Sequence, residues 1–156
     1  MQQFSEGEQI SFGAYDNKRI IMIYGHLQYY NDELKQWLKI GLFYKEQVQE
    51  LTRQVNLILT FPVISLPNLK AGNVLLDRLI VHEQQFEHLL NNIGKQVRSL
   101  KTAIVSPDGL EPTILDQQKN LRVRIRSYEL IFGKTKSECS AFLSSFFEFD
   151  ALAIHA

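Results

Sequence analysis

The chain has 156 residues, 45% hydrophobic and 22% charged, with 17 lysines plus arginines set against 17 aspartates plus glutamates. That length suits one domain whose core needs neither disulfides nor metal, and a zero net charge supplies no field that favours nucleic acid or an anionic membrane. The single cysteine, Cys139, excludes an internal bridge and fits a reducing, cytoplasmic location.

Residues 1–25 form an N-terminal arm in this reading. It opens Met-Gln-Gln-Phe-Ser-Glu-Gly-Glu, without the basic start and apolar run of a signal peptide. Gly13, Gly25 and the β-branched run Ile20-Ile21-Met22-Ile23 break helical patterning and predict an irregular segment. That run either covers the bundle end near Val105 and Leu110 or pairs with the same run of another chain.

From Leu27 a heptad rhythm begins: Leu27, Tyr30, Leu34, Trp37, Gly41, Tyr44, Val48, Leu51, Val55 and Ile58. Alternating steps of three and four keep one stripe facing a partner helix. The rhythm predicts a first helix over about 27–60, ended by Phe61-Pro62. Gly41 has a steric reason here, letting Trp37 or the facing Leu90 and Tyr128 pack closely.

A connector, Val63 to Pro67, leads to Asn68 as a helix cap. The second helix, about 69–105, carries the stripe Leu69, Gly72, Leu76, Leu79, Glu83, Phe86, Leu90, Ile93, Val97, Leu100 and Ile104. Ser106-Pro107-Asp108-Gly109 reads as a turn. Pro112 then opens a third helix, about 112–149, with the stripe Ile114, Gln118, Leu121, Ile125, Tyr128, Phe132, Thr135, Cys139, Phe142, Phe146 and Phe149. No stretch approaches the ~20 apolar residues of a membrane span.

Three helices of matched length with short connectors predict an all-α fold, a long antiparallel up-down-up three-helix bundle over residues 26–156. Phe146, Phe147 and Phe149 should meet the apolar connector Phe61 to Leu66. Aligning the helices about their turns places Glu83 level with Val48 and Thr135, one turn from Tyr44 and Lys45. Glu83, Tyr44, Lys45 and Thr135 are therefore the expected polar core layer, with Lys134 and Lys136 as further partners for a carboxylate that is costly to bury alone.

Two patches carry a resemblance. Trp37-Leu38, four intervening residues, then Phe43-Tyr44-Lys45-Glu46 resembles the first-helix signature of an uncharacterised family of small bacterial three-helix proteins. Tyr128 to Phe132, with Glu138 and Phe142-Leu143, is similar to that family's last helix. Gln47 stands where a second acid is usual. The resemblance implies the bundle and brings no activity with it.

Catalytic signatures are sparse. His82-Glu83 starts like a zinc-protease motif, but Phe86 stands where the second histidine belongs. No histidine follows a glutamate at the three-residue spacing of a di-iron bundle. His82 with Glu87, or His88 with Glu87, could lend metal ligands, but all three lie beside the expected stripe and read as exposed flank positions. Cys139, on the stripe, reads as a small core residue. Lys119, Arg122, Arg124 and Arg126, with Arg98 and Lys101, form a basic cluster whose carbon stems cover the seam; an acidic protein would suit it as well as a phosphate backbone. The expected role is non-enzymatic: a protein–protein interaction or scaffold protein that self-associates as a homo-oligomer, with no cofactor, metal or membrane. The alternative is a small metal-binding bundle, hemerythrin-like or ferritin-like, near Glu83, His82 and Glu87. A small apolar ligand among Trp37, Tyr44, Phe86, Tyr128 and Phe132 is a third option.

Overall fold

A computed structural model describes the backbone over residues 6–103 and 109–155, and side-chain surroundings over 17–19, 21–103 and 109–147. The order is α1 (Glu6–Leu59), α2 (Leu66–Lys101) and α3 (Pro112–His155), three helices packed on one another. The expected bundle is what forms, and the described residues include no helix long and apolar enough to cross a membrane.

The core positions of α1 and α3 follow the heptads read from sequence. Leu34, Trp37, Val48, Val55 and Ile58 are buried on α1, and Ile114, Leu121, Ile125, Phe132 and Cys139 on α3. Phe61 meets Phe146, ring centroids 5.4 Å apart. Phe147 is exposed, and the side chain of Phe149 lies outside the described residues.

On α2 only alternate positions match. Gly72, Leu79, Phe86, Ile93 and Leu100 are buried as expected, but their companions are Leu75, His82, Leu89 and Gln96, each one residue before the expected Leu76, Glu83, Leu90 and Val97. A helix with two neighbours buries a wider face than a two-helix seam. Leu76 and Val97 therefore still pack against the core, half-buried.

Close approach between α1 and α2 is built on glycine. A Cβ at Gly41 would lie 2.8 Å from Cδ2 of Leu90, and one at Gly72 would lie 2.6 Å from Cδ2 of Leu59. The steric reading of Gly41 holds, with Leu90 as the facing residue.

Two terminal readings need correction. The arm is not irregular: α1 begins at Glu6 and runs through Gly13, the Ile20–Ile23 run and Gly25. Each glycine costs a helix about 1 kcal/mol, but extending an existing helix avoids the nucleation penalty. Within the run, Ile23 is buried while Ile21 and Met22 are exposed; Ile104, Val105 and the turn residues Ser106 to Asp108 lie outside the described residues. The cap of α2 is Ser65, not Asn68: its Oγ accepts the backbone N–H of Asn68 at 3.3 Å, and Pro67 sits in the first turn where its missing N–H costs nothing.

Candidate functional site

At mid-length the three helices meet in an aromatic box. Phe86 and Phe132 are fully buried and contact edge to face at 5.8 Å. Tyr44 stacks on Phe86 at 5.4 Å and 11° and meets Phe132 edge-on at 5.6 Å, while Tyr128 closes on Phe86 at 6.1 Å. These rings pack against each other as core. Burial, and then the nearby Glu129 carboxylate, hold the Tyr44 hydroxyl above the ordinary phenol range.

The polar layer beside this box differs in membership from the expected one. Its register is as derived, with residues 82–83 level with Val48 and Thr135. The buried member on α2, however, is His82, not Glu83. His82 and Thr135 are each 4% exposed, and Nε2 of His82 lies 2.7 Å from Thr135 Oγ1. Glu83 is turned to the α1 flank, where its carboxylate accepts from Gln49 Nε2 at 3.1 Å. Solvent on that flank removes its need for a cation. Lys45 is half-buried, and Lys136 donates to Gln47 Oε1 at 3.1 Å. Of the four expected residues, Thr135 alone joins a buried polar pair; Tyr44 is part of the aromatic box.

The expectation of an exposed His82 is likewise overturned, because α3 covers the flank on which it sits. Its ring meets Phe132 edge-on at 5.5 Å. Nδ1 of His82 and Oε1 of Gln85, one turn later, are both buried, and neither closes a hydrogen bond with the chain. Burial pushes the imidazole below its ordinary value; the Gln85 amide opposes this and the Arg78 charge adds to it. A groove of about 340 Å³ between α2 and α3 runs past these groups, with Val81 and Ile131 on its sides and the Arg78–Glu138 ion pair at one end.

A histidine bonded to a hydroxyl is the beginning of a base–nucleophile pair. Here no carboxylate orients the second ring nitrogen, and both partners are buried. Among the described residues, no three His, Cys, Asp or Glu side chains converge as metal ligands. Glu87 and His88 point to solvent. The chemistry this layer supports is structural, tying α2 to α3.

A second polar layer, absent from the sequence reading, lies nearer the bundle end. Buried Gln96 donates from Nε2 to the Ile114 carbonyl at 3.0 Å and to Gln118 Oε1 at 3.1 Å. Gln118 donates in turn to Glu33 Oε1 at 2.9 Å. Arg122 grips the same carboxylate at 2.9 and 2.7 Å and lies over the Trp37 ring at 5.9 Å. The network links all three helices and commits the central member of the basic cluster internally. Arg98 and Lys101, in the last turn of α2, face the negative end of that helix's dipole. Gln96 escaped notice because Val97, its neighbour, fits an apolar seam better.

The surface carries exposed apolar side chains at particular places. Ile21 (69% exposed), Met22 (63%), Tyr24 (58%) and Tyr29 (59%) crowd the start of α1. Leu90 opposite Gly41 and Leu59 opposite Gly72 put Lys101 near the level of Tyr30. Gln118, reaching the Tyr30 carbonyl, puts the start of α3 only slightly earlier on α1. The first four or so turns of α1, about 25 Å, thus project past the ends of both other helices.

No family model, curated protein or solved structure matches the chain.

Proposed function

We propose that the protein is a non-enzymatic helical interaction module that self-associates. The observation that carries this reading is the projecting start of α1, where Ile21 and Met22 are exposed, continued by exposed Tyr24 and Tyr29 beside the ends of the other helices. A helix of a few turns carrying glycine and exposed isoleucine gains little in water by itself. Covering those side chains with a partner helix removes apolar surface from water at about 25 cal/mol per Å².

Sedimentation equilibrium across a dilution series tests the reading. A mass that falls from dimer or higher toward monomer on dilution supports it. A strict monomer at millimolar concentration overturns the self-association.

A further inference from the structure

The exposed flank of α1 carries one stripe at steps of four and three: Lys18, Met22, Gly25, Tyr29 and Asp32. All five are exposed. Lys18 and Asp32 make no ion pair within the chain among the described residues. A Cβ at Gly25 would meet nothing within 4 Å. Gly41 and Gly72, which lie in a helix contact, each receive a leucine of the neighbouring helix, whereas Gly133 is as open as Gly25. Gly25 costs α1 about 1 kcal/mol relative to alanine and has no such neighbour inside the chain.

The stripe is self-complementary in one orientation. Turn a second copy antiparallel about Gly25, and Lys18 of each faces Asp32 of the other, seven residues either side of the centre. Met22, three residues before the centre, comes within one residue's rise of Tyr29, four after it, a thioether near an aromatic ring. The glycines meet at the two-fold axis, where the backbones must come closest. A parallel pairing sets Lys18 against Lys18 and Asp32 against Asp32, which charge repulsion disfavours.

Resting on the self-associating reading above, we infer that the partner is a second copy of this chain, docked through an isologous antiparallel contact of α1 with α1 centred on Gly25. Such an interface uses the same patch twice and closes on itself, so it makes a dimer and no filament.

Sedimentation equilibrium and cross-linking of the full chain test the inference. Lys18→Glu creates two symmetry-related repulsions and raises the dimer dissociation constant about tenfold. Lys18→Glu combined with Asp32→Lys restores it to near the starting value. Gly25→Cys, with native Cys139 buried, gives a disulfide-linked dimer on mild oxidation, because only a crossing at this residue brings the paired Cα atoms within roughly 7 Å. Lys18 is exposed, so an unchanged circular-dichroism spectrum separates lost association from lost fold. A dimer indifferent to Lys18→Glu, not restored by the double swap, or not cross-linked at position 25 overturns this interface and leaves self-association through another face. A strict monomer overturns both readings.

Discussion

His82 on α2 and Thr135 on α3 share a buried hydrogen bond of 2.7 Å at the waist of the bundle, 53 residues apart in sequence. The bond ties these two helices beside the aromatic box, and burial favours the neutral imidazole there.

Stability should fall with acidity through this group. The folded state holds His82 below its ordinary 6.5, so the unfolded chain binds the proton more readily between the two values. Stability is then full above about 6.5 and is lost as pH falls toward the folded value, after which the loss is complete. Urea midpoints measured in steps from pH 8 to about 4.5 check this. His82→Gln, which cannot titrate, should flatten the profile in that window relative to the parent protein.

The glycines should split by position. At Gly133 a Cβ meets nothing within 4 Å, so Gly133→Ala stabilises by about 0.5–1 kcal/mol through helix propensity. At Gly72 three atoms of Leu59 lie within 3.3 Å of the new Cβ. Overpacking there costs about 1–3 kcal/mol, so Gly72→Ala is destabilising by about 1 kcal/mol net. Thermal melts of the two variants should move in opposite directions.

The Glu33 side chain is 13% exposed and takes three hydrogen bonds, two of them from Arg122. Arg122→Ala strands that carboxylate in a largely buried place and should cost about 3 kcal/mol. Removing both charges, as Glu33→Leu with Arg122→Met, should cost clearly less than the single change. Chemical denaturation of the three proteins, closed as a double-mutant cycle, reads the coupling.

Cys139 is fully buried, and burial pushes its thiol up to about 11. The native protein should therefore resist thiol reagents at neutral pH, because both access and thiolate are lacking. Labelling followed by absorbance should proceed only as fast as the chain opens, and quicken with added denaturant.

On α1 and α3 the seam is legible where a level offers one apolar candidate: Val48 and Val55 stand alone between polar neighbours, as do Leu121 and Ile125. On α2 the pairs Leu75-Leu76 and Leu89-Leu90 offer two candidates a residue apart. Which one turns furthest inward depends on where α3 lies, and that is information about the assembled bundle. His82 and Gln96 follow those leucines onto the α3 side, so the expected layer falls one residue from its place at Glu83, and the Gln96 layer stays hidden behind Val97. The helical start of α1 was hidden for a different reason: two glycines and an isoleucine run weaken local propensity, and elongation from an established helix overrides it.

Hydrophobic heptads are nearly blind to sliding, since moving a helix seven residues, about 10 Å, sets leucine against leucine again. The polar contacts of α3 are not. Gln118 finds Gln96 and Glu33, and Thr135 finds His82, at one axial setting. One heptad of slip leaves an imidazole, two amides and a carboxylate unpaired together. The two polar layers act as a vernier: greasy contacts supply the grip, and the coincidence of two sparse sets of marks selects a single position along the rod.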